Sequence, residues 1–139
     1  MRFVPSVATN ETGSGGAWWK VSLSSELPAI TDPLTTLDGR SFNLNAPTTI
    51  LNPNSGTFGT GSSVGLDGIT LSTFERKELE IDLNDAGSNA LSINSSGAVV
   101  IRHFAIFNNS RSLTISNISG GTIENNLIGT RADGTEPSG

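Results

Sequence analysis

The chain has 139 residues, 13 acidic and 8 basic side chains, a net charge of −5, 16 Gly, 6 Pro, and neither Cys nor Tyr. A chain of this length makes one domain with a real core, because it can bury roughly two-thirds of its extended surface. Without Cys there is no disulfide framework, thiolate metal site or Cys nucleophile; Arg76-Lys77 is the sole adjacent basic pair, which argues against nucleic acid, and no apolar run is long enough to span a membrane.

In chain order, β-type runs fall at 2–4, 18–23, 34–37, 48–51, 68–71, 78–83, 90–93, 99–107, 112–118 and 122–128, with Gly, Asn, Asp, Ser and Pro between them. No window carries the i, i+3, i+4 apolar pattern of a capped amphipathic helix. The nearest is "STFERKELE", where Ser72 and Glu75 have capping-box spacing and allow one helical turn. The start of the chain lacks the basic residues and apolar stretch of a signal peptide, so an export signal would lie outside this segment. Both ends read as cut from a longer chain.

The strongest pattern is a repeat. Placing 88–109 over 110–131 without a gap sets Leu91 on Leu113, Ile93 on Ile115, Ile101 on Ile123 and Ile106 on Ile128, while most intervening positions differ. A 22-residue unit of short strands and tight corners predicts an all-β fold, a right-handed parallel β-helix, in which each unit is one rung. The eight aliphatic residues are the predicted structural core, stacked in inward columns about 4.8 Å apart. Extending the register backward places Ile69 and Leu71 under Leu91 and Ile93, and Leu79 under Ile101, before Asn84 breaks it. The expected organisation is one continuous domain, with N-terminal strands, a cap and a loop excursion at 1–65 and regular rungs at 66–139; residues 52–65 form the excursion.

"LPAITDPLTTLDG" (27–39) and "ISGGTIENNLIGTRADGT" (118–135) resemble the opening and the later rungs of the β-helix repeat region of large bacterial secreted or cell-surface, adhesin-like proteins. The resemblance implies a scaffold near the N-terminal end of an exported protein. Leu37 stands where that pattern usually has Ile, and Arg131 where Asp is common, which weakens any cation-binding role for the last loop.

Three sets of residues are candidates for chemistry. In "ELEIDLND" the alternation puts Glu78, Glu80 and Asp82 on one side, with Asp85 beyond. Carboxylates at such intervals could hold Ca²⁺ or form an acid/base pair, but the plainer expectation is a solvated polar face. Trp18 and Trp19 face opposite sides of a strand, so one caps the interior while the other either stacks on a glycan or lies under a flanking loop. His103 is the only histidine and reads as an outward or corner residue, aligned with Asn125; the Asn-rich corners 107–110 and 124–127 suit left-handed backbone.

No nucleophile elbow, HExxH, P-loop or EF-hand loop is present. The expectation is therefore a non-catalytic extracellular or cell-surface module, with no cofactor unless Ca²⁺, whose partners are other copies of itself, adjoining rungs, or surface glycans. A filament subunit joined head-to-tail through exposed coil ends is the second reading. A carbohydrate-active enzyme is the third and would need Glu80 and Asp82 to meet Arg102 and His103.

Overall fold

A computed structural model describes the chain except residues 14, 60–62, 85–88, 109–110 and 138–139, and except the side chains of Val64 and Ala90. Among the described residues there is no helix. Their strands are β1 (Arg2–Phe3), β2 (Glu11–Gly13), β3 (Gly16–Ser22), β4 (Thr36–Asn43), β5 (Ala46–Ile50), β6 (Thr57–Phe58), β7 (Ser63–Val64), β8 (Ile69–Thr70), β9 (Phe74–Glu75), β10 (Leu79–Asp82), β11 (Asn89–Asn94), β12 (Ala98–Arg102), β13 (Phe104–Phe107), β14 (Arg111–Ser116), β15 (Gly120–Glu124) and β16 (Leu127–Ile128). The all-β expectation holds. The helical turn allowed at Ser72 is absent: Phe74–Glu75 is extended and pairs antiparallel with Thr57–Phe58, so strand pairing overrides a local cap signal.

Three parallel sheets carry the fold. The first has the order β1-β4-β12-β15, and the second β3-β10-β13-β16 with β2 added antiparallel to β3. The third pairs β11 with β14, extended by a parallel bridge from Ile30 to Ile93. The chain visits the sheets in a fixed order: β1, β3, Ile30; then β4, β10, β11; then β12, β13, β14; then β15 and β16. Each pass lays its strands beside those of the previous pass.

The repeat spacing reappears as register: Leu91 lies beside Leu113, Ile93 beside Ile115, Ile101 beside Ile123, and Ile106 beside Ile128. Leu91, Ile93, Ile101 and Ile106 join Trp19, Leu37, Leu79, Ile81, Leu83, Val99 and Phe104 in one buried cluster, against which Leu113 and Ile115 pack half-buried. Ile123 and Ile128, expected in the core, are 47% and 53% exposed. They belong to the outermost strands, where no further described strand covers them.

Before Leu91 the backward register fails. Leu79 lies beside Trp19 and Phe104, and Ile81 beside Ile106, so the pass from β10 to β13 is slightly longer than the repeat unit and Leu79 does not fall under Ile101. Ile69 and Leu71 are exposed, and Ile69 sits in an antiparallel hairpin with Val64; Ile30 takes the place beside Ile93 instead. The cause is an excursion between β4 and β10, built from β5 and the nested β6/β9 and β7/β8 pairs, longer than the stretch 52–65. It lies in the chain between Leu37 and the column neighbour of Leu37, Ile101.

Corners are made by residues that tolerate left-handed backbone. Asn84, Asn108, Asn117 and Asn125 have φ between 46° and 65°, as does His103 at 65°. His103 divides β12 from β13, and Asn125 divides β15 from β16. His103, and Asn125 together with Asn126, break what the sequence offers as unbroken runs at 99–107 and 122–128.

Candidate functional site

The acidic strand β10 has the expected alternation, with Leu79, Ile81 and Leu83 in the core and three carboxylates on the opposite face. That face is not solvated. Glu78, Glu80 and Asp82 are all buried, Glu80 completely; over Glu80 the segment after β16 folds back across the second sheet and packs Ala132 on Trp18 and Ala105, while Glu78 is met by Ser41 and Asp82 by Lys20 and Asn108.

Each carboxylate is committed to its own donors. Glu78 Oε2 accepts from the Ser41 hydroxyl at 2.6 Å and from the Ser41 backbone N–H. Glu80 Oε2 accepts from Ala132 N–H at 2.8 Å, and its Oε1 lies 3.5 Å from Arg131 Nη2, which also reaches Glu11 at 3.0 Å. Asp82 pairs with Lys20 Nζ at 2.8 Å and accepts from Asn84 N–H and Asn108 Nδ2. Burial raises the Glu78 pKa against the opposing Ser41 bonds. For Asp82 burial acts in the same direction, but the Lys20, Asn108 and Asn84 bonds outweigh it and the pKa falls.

The carboxylates therefore diverge to three donor sets instead of converging on a cation. Among the described residues no three acidic or histidine side chains are grouped to hold a metal ion; Asp85 lies outside the described residues.

Trp18 and Trp19 do face opposite sides, yet neither offers a face to a ligand. Trp19 is part of the inner core, edge-on to Phe3, with its indole N–H donating to Val7 O at 2.9 Å. Trp18 is 1% exposed on the outer side, beneath Ala132 and with the Arg131 guanidinium 5.7 Å from its ring centre. The covering segment follows β16; the excursion contributes an adjoining contact through Pro53 O to Ala17 N–H.

The acid/base set of the enzyme reading is not assembled. Arg102 turns to Asp38 and Glu124 on the first sheet, whereas Glu80 and Asp82 face outward from the second. His103 is half-buried at its corner, where its backbone N–H donates to the Asn125 carbonyl oxygen, and burial lowers the pKa of its imidazole. An Asn contact across passes does occur, between Asn117 Nδ2 and Asn94 Oδ1 at 2.7 Å, just off the repeat register.

The first sheet carries a charged constellation that sequence reasoning missed. Arg2, Asp38, Arg102 and Glu124 are register neighbours on four adjacent strands, an alternating ladder at the inter-strand spacing of about 4.8 Å. Arg40 adds a forked pair to Asp38, Nε at 3.0 Å and Nη2 at 2.6 Å. Phe42 is flanked by two guanidiniums, Arg2 at 4.9 Å and Arg40 at 5.7 Å from its ring centre. Arg2, Asp38, Arg40, Phe42 and Arg102 line a cleft of about 500 Å³ walled by Thr48 and Ile50 of β5. Period-2 spacing in "DGR" puts Asp38 and Arg40 on one side, but the excursion conceals the alignment of Asp38 with Arg102.

A second concavity of about 710 Å³ lies against the first pass, lined by Leu27, Ile30, Leu37, Ile81, Leu91 and Phe104. It exists because the described part of that pass supplies only β1, β3 and the single bridge at Ile30.

No family model matches the chain, and neither do any curated protein or solved structure.

Proposed function

We propose that the chain is a right-handed parallel β-helix serving as a non-catalytic structural module of an extracellular or cell-surface, adhesin-like protein. The observation that carries this reading is the fixed order in which the chain visits three parallel sheets, with Trp19, Leu79 and Phe104 in one column and Ile30, Ile93 and Ile115 in another. Such stacking makes a rigid body whose outer faces vary without cost to the interior. The commitment of Glu78, Glu80 and Asp82 to internal donors agrees with a supporting role for the acidic strand.

The test is turnover on acidic and neutral polysaccharides, where the purified chain is expected to release no product. Product release that Glu80→Gln or Asp82→Asn abolishes, while the circular dichroism spectrum stays native, would sink the scaffold reading.

A second reading, association through the ends, is favoured by Ile123 and Ile128, which leave the last pass apolar and half-exposed. The outer edges of β14, β15 and β16 have no strand partner among the described residues and are open to another copy or an adjoining rung. Light scattering and electron microscopy decide it: ordered fibres make the chain a filament subunit, and a stable monomer removes that role.

A further inference from the structure

We infer that the cleft between β4 and β5 is a binding site for the carboxylate or sulfate group of a small organic acid, such as an acidic sugar unit.

The chain is net negative at −5, yet this cleft gathers three of its eight basic side chains, Arg2, Arg40 and Arg102, around one carboxylate. Asp38 is only 4% exposed and spends both oxygens on Arg40 and Arg102. Arg2 donates to a neutral acceptor, Pro47 O, at 3.0 Å. Glu124 approaches Arg102 no closer than 3.8 Å and is half-exposed. Asp38 pairs with Arg40 and Arg102, and Glu75 and the buried Glu78 act on Arg40 at longer range, so among the described residues Arg2 is the guanidinium of the cleft that no ion pair neutralises.

Geometry adds pre-organisation. Arg40 and Arg102 are clamped by the same carboxylate, and Arg2 and Arg40 both rest against the buried Phe42 ring. Guanidiniums fixed in this way have little side-chain entropy left to lose; Nε and Nη2 of Arg40 and Arg102 are committed to Asp38, which leaves their Nη1 groups and the remaining N–H donors of Arg2 for the oxygens of a carboxylate or sulfate. A volume of about 500 Å³ lies within the range of small-molecule sites and exceeds what a lone ion fills. Thr36 and Thr48 place hydroxyl-bearing residues at the wall, with Ile50 as an apolar surface, a lining suited to a hydroxylated ring bearing one acid.

A purely structural ladder would account for Arg40 and Arg102, which tie β4 to β12 through Asp38. It leaves Arg2, the register neighbour of Asp38, without an ion pair among the described residues, and this makes Arg2 the discriminating position. Its loss should empty the site without untying the sheets.

The experiment is titration of the full chain, tagged at its C-terminus because Met1 borders the cleft, with glucuronate, inorganic sulfate and neutral glucose, followed by calorimetry or amide chemical shifts. Glucuronate and sulfate should both bind, more weakly as salt rises, and glucose should not. Arg2→Gln should weaken glucuronate at least fivefold while the melting temperature stays within about 2 °C of the parent, and Arg102→Lys should weaken it by removing the Nη1 donors. Absence of binding by either anion, equal binding of glucose, or affinity unchanged in Arg2→Gln would each overturn the assignment. Binding of sulfate without glucuronate would overturn it as well, since the cleft would then hold only an inorganic ion.

Discussion

Replacing Glu80 by Gln probes whether the outer face of β10 is a buried network. In the native chain Oε2 takes the Ala132 N–H at 2.8 Å and Oε1 lies at the outer limit of contact with Arg131, inside a residue with no exposed surface. Gln keeps a carbonyl oxygen for Ala132 but loses the charge on that bond, and its amide must turn a donor toward the guanidinium. A hydrogen bond to a charged group contributes about 1.5–3 kcal/mol. The larger penalty of an orphaned buried ion does not apply in full, because Arg131 retains Glu11 and is partly exposed. The expected loss is therefore about 2 kcal/mol, or roughly 6–10 °C in melting temperature for a domain of this size. Urea and thermal unfolding followed by circular dichroism measure it. Tryptophan emission adds a local readout, because Ala132 and Arg131 both pack on Trp18. A melting temperature within about 1 °C of the parent, with unchanged emission, would refute the burial of this face and restore a solvated acidic strand.

Four further outcomes test other parts of the fold. Ile101→Asp places a charge at a site 1% exposed and should abolish cooperative folding, whereas Ile123→Asp in the same column should leave a monomer folded; equal damage from both would mean that Ile123 is covered in solution. Gly39→Ala should cost about 2–3 kcal/mol in urea titrations, because the new Cβ would sit 2.4 Å from the His103 carbonyl oxygen; a neutral substitution would disprove that close approach. Lys77, 1% exposed, donates to Glu75 O at 2.6 Å, and burial lowers its pKa. Lys77→Met should be neutral or stabilising by about 1 kcal/mol at pH 7. The advantage should shrink toward pH 10, since a depressed lysine pKa makes the parent gain stability as pH rises from its folded to its unfolded value. In acid, Asp38 and Asp82 give a dependence of the same sign, with stability again rising with pH. Burial raises both pKa values, but the bonds from Arg40 and from Lys20 more than reverse this. Their stabilisation is present above the ordinary aspartate range and disappears as pH falls through the lowered values, so stability should drop below about pH 4, and Asp38→Asn should flatten that drop in melts run from pH 7 to pH 2.5.

Much of the strand content was legible because alternation and β-branched runs are local. The columns Leu91/Leu113 and Ile101/Ile123 were legible for a related reason: where every pass has the same length, contacts between neighbouring strands become a regular spacing along the chain. The spacing failed where an insertion intervened. Leu37 and Ile101 are as much column neighbours as Ile101 and Ile123, yet the whole β5–β9 excursion lies between them, and no local pattern encodes such an offset. The corners at His103 and Asn125 were only half legible, since the residue types suit left-handed backbone but the surrounding alternation continues through them.

Local chemistry along the chain was enough to set the class of structure: no helix among the described residues, short strands, Asn-rich corners, and a regular aliphatic beat in the second half. Which polar residues are buried came from the folded arrangement alone. Glu78, Glu80 and Asp82 lie on the polar side of an amphipathic strand, and their spacing says solvent; Ser41 meets Glu78, the segment carrying Ala132 returns across Glu80, and Lys20 and Asn108 meet Asp82, so that side becomes an interior. Arg2, Asp38 and Arg102 likewise read as scattered surface charges until β1, β4 and β12 lie side by side. Burial on an outer face depends on what a distant part of the chain lays over it, and alternation reports only which face a side chain takes.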